Sequence, residues 1–216
     1  MTRDQVLEQI CRVGIIPVIR APSAGGLADI ARALMAGGIP IAEVTMTVPG
    51  AVEGIRGLAA EFGDRLLLGV GSVTMREQAE DAAEAGARFI VSPVTVPEVI
   101  ETARRLERVV IPGAFTPTEI WNAWTLGADI VKVFPADVGG PEYFKSILAP
   151  MPFLKLSPTG GVTVETAGAF IKAGAVTLGA GSALVEKKAV AAGDWARITA
   201  LAKAFRAEIE KARAAK

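Results

Sequence analysis

Lys132 stands in the middle of a short apolar run, Ile130-Val-Lys-Val-Phe-Pro135, with Gly127 ahead of it. Strand alternation would put Ile130, Lys132 and Phe134 on one face and Val131 and Val133 on the other. Both faces are apolar. An ammonium group in such a place is costly unless it is paired or gives up its proton. The lysine is therefore either half of a structural ion pair or an amine held partly neutral for attack on a carbonyl. Glu43 repeats the situation inside Ile41-Ala-Glu-Val-Thr-Met46, where it shares a face with Ile41 and Thr45. If the two faces line one core, the pair is either an ion pair that fills space or an amine beside a proton shuttle. Desolvation lowers the lysine pKa and an anionic Glu43 raises it, so residue types alone leave the sign open.

Glycines supply a second kind of chemistry. Ser157-Pro-Thr-Gly-Gly-Val162 closes one apolar run, and Gly179-Ala-Gly-Ser182 closes another. Successive glycine amides beside a helix N-terminus cradle phosphate, which makes Gly160, Gly161, Gly181 and Ser182 candidates. Either pair alone also suits a tight turn. Gly69-Val-Gly-Ser72, Ser92-Pro93 and Pro112-Gly113 end other runs with small residues. They leave room for a substrate or mark bulges.

The 216 residues include no histidine. Histidine triads and histidine-rich zinc sites are excluded, and acid–base work falls to Glu, Asp, Lys, Tyr143, Ser, Thr or water. Metal-dependent aldol chemistry is disfavoured for the same reason. The single cysteine, Cys11, allows no internal disulfide. No apolar run approaches the ~18 residues of a membrane span, and the N-terminus lacks the apolar core of a leader. These features favour the cytoplasm and no membrane partner. Charges balance at 23 basic and 23 acidic residues, with no basic stripe, so nucleic acid is not expected.

The elements that must position these groups follow from periodicity and stop signals. Strands are expected over 15–20, 41–46, 66–73, 89–93, 109–114, 130–135, 154–159 and 177–181. Helices are expected over 3–13, 24–36, 49–62, 75–85, 96–106, 117–126, 141–148, 163–173 and 194–212. Pro49 is expected at the first helical position and Asp194 at an N-cap. Gly37-Gly38, Gly86, Gly127 and Gly174 each stand just before a strand, where a left-handed residue ends the preceding helix. The βα unit recurs about eight times, at spacings of roughly 20 to 28 residues. That pattern predicts an α/β fold: a single (β/α)8 TIM barrel over 1–216 with an extra N-terminal helix, carrying its catalytic groups at the C-terminal strand ends. A doubly wound open sheet is the alternative. Ala21-Pro-Ser-Ala24, after the first strand, lacks the glycines of a dinucleotide turn. Trp121, Trp124 and Trp195 suit helix packing or an interface. Arg104, Arg105 and the basic residues of the last helix suit solvated faces.

With these segments assembled, the chain resembles the 2-keto-3-deoxy-6-phosphogluconate (KDPG) aldolase family, whose members also cleave 4-hydroxy-2-oxoglutarate. The resemblance covers nearly the whole chain. It rests on Glu43-Val-Thr-Met-Thr-Val-Pro49, Gly69-Val-Gly-Ser-Val73, Phe89-Ile-Val-Ser-Pro93, Ile111-Pro-Gly-Ala-Phe-Thr-Pro-Thr-Glu119, Val131-Lys-Val-Phe-Pro135, Pro158-Thr-Gly-Gly-Val162 and Gly179-Ala-Gly-Ser-Ala-Leu184. It implies a homotrimeric class I aldolase with no metal and no cofactor beyond a covalent Schiff base on lysine. Its ligands would be pyruvate and a phosphorylated 2-keto-3-deoxy sugar acid. By position, Lys132 matches the Schiff-base lysine and Glu43 the acid–base glutamate. Ser72 falls where the family usually has threonine, near the pyruvate carboxylate. Pro93 and Phe134 match pocket-lining residues. Gly160, Gly161 and Ser182 match phosphate binders, and Thr159 the hydroxyl beside them. Thr47 stands where many members carry a substrate-contacting arginine, and Arg20, ending the first strand, is expected to supply that charge. Three other readings remain: an aldolase for the galactonate epimer, another phosphosugar enzyme that needs no imine, and a non-catalytic trimeric assembly component.

Overall fold

The structure is a computed structural model, and residues 1–215 are described. Helix α1 (Arg3–Val13) opens with a capping box between Thr2 and Gln5 and stops at Gly14, φ 76°. Strands and helices then alternate: β1 (Ile15–Ile19), α2 (Leu27–Ala36), β2 (Ile41–Thr45), α3 (Ala51–Phe62), β3 (Leu67–Gly71), α4 (Arg76–Glu84), β4 (Phe89–Val91) and α5 (Pro97–Arg105). The second half runs β5 (Val109–Ile111), β6 (Gly113–Ala114), α6 (Pro117–Thr125), β7 (Val131–Val133), α7 (Gly140–Leu148), β8 (Leu156–Pro158), α8 (Val164–Lys172), β9 (Leu178–Ala180), α9 (Lys187–Ala192) and α10 (Trp195–Ala214). Gly38, Gly86, Gly127 and Gly174 all have positive φ, as their place after a helix requires.

Every strand pairing is parallel. One ladder has the order β5-β4-β3-β2-β1-β9 and a second β6-β7-β8. The chain is thus an α/β fold with a curled parallel sheet in two ladders, where the sequence predicts one continuous eight-stranded barrel. The expected strand over 109–114 is divided at Pro112, which has no N–H to give a ladder. Its carbonyl still accepts from Lys132 N at 2.9 Å, and Asp129 N donates to the Val110 carbonyl at 3.0 Å. At the other junction one isolated bridge joins Thr159 to Gly179.

Three local expectations are corrected. Pro49 does not begin a helix: residues 46–50 form turns, with Val48 N donating to the Thr45 carbonyl and Ala51 N to the Val48 carbonyl, and α3 starts at Ala51. The six-residue α9 was not expected, because so short a helix shows no full period. The basic residues of α10 are not all solvated. Arg206 donates to the Val13 carbonyl, and Arg213 donates to the carbonyls of Cys11 and Arg12, so two cations neutralise the C-terminal end of α1. Asp194 does cap α10, accepting from Arg197 N.

The core runs through both faces of the sheet, with Phe89, Phe144, Phe170 and Phe205 fully enclosed. Trp124 and Trp195 pack at its margin, while Trp121 is half exposed against Phe153. Among the described residues, no helix is long and apolar enough to cross a membrane.

Candidate active site

Register decides whether the lysine and the glutamate meet. Lys132 pairs with Ser157, and Thr159, two residues on, bridges to Gly179. Gly179 pairs with Ile16, and Val18, two residues on, pairs with Glu43. Paired residues and residues two apart share a face. Lys132, Ser157, Thr159, Ile16, Val18 and Glu43 therefore point to the same side of the sheet. Lys132 is 7% exposed and Glu43 3%. The amine lies 5.0 Å from the centre of the Phe134 ring, which offers it a π face.

Burial answers the question of sign. Desolvation holds the Lys132 pKa below its ordinary value, against the opposing Glu43 charge and with help from Arg20. Desolvation raises the Glu43 pKa, against the pull of Lys132 and Arg20. Both groups are driven towards their neutral forms: an amine with a free lone pair and a carboxyl with a proton to give.

The small residues at the strand ends have a role other than the one expected. A side chain on Gly71 would overlap Glu43 Oε1, and one on Gly69 would overlap the Phe89 ring. That room is filled from within the protein and is not left for a ligand. Gly113 is required by the Pro93 carbonyl, which packs against its Cα, and Gly179 by the Thr159 hydroxyl. Ser72, directly after β3, is half-buried with φ 59°. A left-handed backbone at a non-glycine residue is strained and concentrates at functional positions.

A cleft of about 200 Å³ gathers Arg20, Phe134, Thr159, Gly160, Gly161, Gly181 and Ser182. Gly160 and Gly161 have φ 94° and 67°, and they lead into α8 behind its Thr163 cap. Their amides stand at a helix N-terminus, where an anion is favoured. Phe134 lies both against the Lys132 amine and in this cleft, so it joins the two halves of the site. Sequence reasoning missed Val18 and Thr163, which also line the cleft; only register and loop closure bring them there. Thr47 lies elsewhere. Its hydroxyl is 2.6 Å from that of Thr45, which donates to the Ile19 carbonyl, and it lines a neighbouring groove with Arg20 and Trp195. Ser72 and Pro93 lie outside the glycine cleft as well, at the ends of β3 and β4. No group of three or more Cys, Asp or Glu side chains able to hold a metal ion occurs among the described residues.

The family model for KDPG and KHG aldolase matches residues 6–201. The chain belongs to this family. A 2-dehydro-3-deoxy-phosphogluconate aldolase of Treponema pallidum is 36% identical over 197 residues, covering 91% of this chain and 93% of that protein. A KHG/KDPG aldolase of Escherichia coli K12 is 33% identical over 198 residues, covering 91% and 92%. Among solved structures, the KDPG aldolase of Legionella pneumophila superposes with a TM-score of 0.87 at 32% identity, covering 93% of this chain and 98% of that one. That crystal held pyruvate captured at low pH as a covalent carbinolamine intermediate. Within the KDPG and KHG aldolase family, then, this chain brings its one lysine in an apolar strand and its one glutamate in an apolar strand to a common face.

Proposed function

We propose that this protein is a class I aldolase that cleaves KDPG to pyruvate and glyceraldehyde 3-phosphate, with Lys132 as nucleophile and Glu43 as proton shuttle. One observation carries the reading: a buried amine and a buried carboxyl on one face of the sheet, each pushed towards neutrality, beside a cleft edged by glycine amides.

Neutral Lys132 Nζ attacks the C2 ketone, and a proton moves from nitrogen to oxygen to give a carbinolamine. Glu43 donates to the departing hydroxyl, water leaves, and a protonated imine remains. The C4 hydroxyl then loses its proton to the Glu43 carboxylate. The C3–C4 bond breaks and its electrons flow to the iminium nitrogen. Glyceraldehyde 3-phosphate departs and an enamine of pyruvate remains. Glu43 returns its proton to C3, and water hydrolyses the protonated imine to pyruvate and free amine, the released proton restoring the Glu43 carboxyl. The imine is itself the electron sink, so the route needs no metal. Gly160, Gly161, Gly181 and Ser182 hold the distant phosphate, Thr159 and Arg20 border it, and Phe134 and Pro93 wall the ketone. The strained Ser72 amide and hydroxyl face the pyruvate carboxylate. Thr47 acts through the Thr45 hydroxyl at the mouth. Binding far from the reacting bond orients the ketone at the amine.

The same site accepts 4-hydroxy-2-oxoglutarate as a second substrate, a reading supported by the double name of the Escherichia coli relative. The proposal extends to the assembly: residues 1–216 as one (β/α)8 domain, working as a cytoplasmic homotrimer. Closure is supported by the Thr159–Gly179 bridge and the Lys132–Pro112 hydrogen bond, which span the two gaps between ladders. The trimer is supported by the exposed Trp121, Leu126 and Phe153.

Borohydride added with pyruvate should fix a covalent adduct on the Lys132 peptide, read by mass. Folded protein that shows no adduct removes the mechanism. Turnover of both C4 epimers, with and without the phosphate, defines the substrate.

A further inference from the structure

A second charged cavity lies at the opposite end of the sheet. Arg88 immediately precedes β4 and Arg108 immediately precedes β5, so both stand at the N-terminal ends of the strands, away from the glycine cleft. With Arg3 and Arg104 they line an open cavity of about 750 Å³. Arg3 is already engaged, donating to Asp129. Arg104 and Arg108 each give one N–H to a backbone carbonyl, that of Gly127 at 3.2 Å and that of Leu106 at 2.9 Å. Among the described residues no carboxylate lies within 4.0 Å of Arg88, Arg104 or Arg108.

Two features of this cavity are costly as they stand. Arg108 Nε is shut off from water and has no hydrogen-bond partner among the described residues. Burial first, and then the nearby Arg88 charge, lower the pKa of the Arg108 guanidinium, against the opposing pull of Glu107. The like charges of Arg88 and Arg108, offset only in part by Glu107, become favourable once an anion accepts from the outer N–H groups of the two guanidinium groups. Guanidinium forks match phosphate oxygens in pairs. Asp4 and Glu107 share the rim and weaken the field, so a single charge gains little there. A ligand that bridges several guanidinium groups gains from each. The cavity is also many times the ~30 Å³ of a water molecule, more room than one phosphate fills.

We infer that the Arg88–Arg104–Arg108 cavity is a binding site for an anion carrying two or more linked phosphoryl groups, separate from the catalytic cleft. Such a ligand ties the start of β4, the start of β5 and the end of α5 together, so it stabilises the fold.

Calorimetry of the full chain with tripolyphosphate at low salt tests this, with ATP as a second arm. Tripolyphosphate should bind wild type at least about tenfold more tightly than inorganic phosphate does, and raise the melting temperature. Arg88→Gln and Arg108→Gln should each weaken binding about tenfold or more, while Arg88→Lys stays within about threefold. Arg20→Ala, at the other end of the molecule, should leave this binding intact. Without ligand, Arg88→Gln should melt no lower than wild type, because it relieves repulsion and breaks no ion pair. Binding of ATP equal to that of tripolyphosphate assigns recognition to the phosphate chain, and tighter binding adds the nucleoside; both uphold the site. Absence of tripolyphosphate binding in wild type, or its loss in Arg20→Ala, overturns it.

Discussion

The Glu43 carboxyl lies over the Cα of Gly71, in space that any larger residue would occupy. The two residues are on adjacent strands, and Gly71 pairs with Thr45, two residues beyond Glu43. The glutamate leans along β2 into the gap left on β3. Its place on the face it shares with Lys132 depends on a missing side chain in the neighbouring strand.

Gly71→Ala should therefore act as a catalytic lesion at a residue with no chemistry of its own. The methyl pushes Glu43 away from its seat. We expect kcat to fall about 10²- to 10³-fold, the range for a lost acid–base group, and stability to fall by about 1–3 kcal/mol from overpacking. Steady-state kinetics with a parallel thermal melt measure both. Unchanged kcat means that Glu43 is not the shuttle.

Lys132→Met should abolish cleavage, lowering kcat by more than about a thousandfold, without loss of stability at neutral pH. Folded Lys132 has its pKa held below the ordinary 10.5, so the unfolded chain binds more protons between the two values. Stability then rises with pH across that window. The cost of the buried charge is full below the folded pKa and disappears above 10.5. Methionine removes that cost, and Glu43, already pushed towards its protonated form, stays neutral without its partner. The variant should match or exceed wild type by about 0–2 kcal/mol at pH 7. The difference should shrink as pH approaches 10.5. Thermal melts across pH follow it, and a large loss at pH 7 means that the pair is structural.

Arg20→Ala tests the cation at the edge of the glycine cleft. Its charge helps to lower the Lys132 pKa and lines the cleft with Gly160 and Gly161. KM for the phosphorylated substrate should rise about tenfold. The limb of the pH–rate profile that reports the amine should move to higher pH. An unchanged KM removes Arg20 from substrate binding.

Asp129→Ala should damage the fold and spare the chemistry. The Asp129 carboxylate is 8% exposed and accepts from Arg3 and from Val110 N at 2.9 Å, pinning α1 to β5. Its loss leaves a guanidinium and an amide unpaired, at a cost of about 3 kcal/mol. Urea unfolding should show a lower midpoint at unchanged slope, with kcat retained.

Much of the site was legible because its chemistry is written in local contrast. A lysine between valines and a glutamate between alanine and valine stand out against any strand pattern, whatever surrounds them. The glycines at 38, 86, 127 and 174 mark helix ends by a backbone requirement that no neighbour can change. Pro49 misled because the same proline serves a turn as readily as a first helical turn. Gly71 misled because an absent side chain gives no clue to what fills its place. Arg206 and Arg213 looked like solvent-facing charges on the last helix, since their carbonyl partners lie some two hundred residues earlier in the chain.

The chain alone determined which residues are costly to bury, where helices end, and that strands and helices alternate, because these follow from side-chain type and spacing of 2 or 3.6 residues. Tertiary structure decided which of those residues meet. Whether Lys132 and Glu43 share a face depends on strand register summed over β7, β8, β9, β1 and β2, and a slip of one residue would turn the glutamate to the far side. Burial, which gives both pKa shifts their sign, is a property of everything packed around the two groups and of no segment by itself.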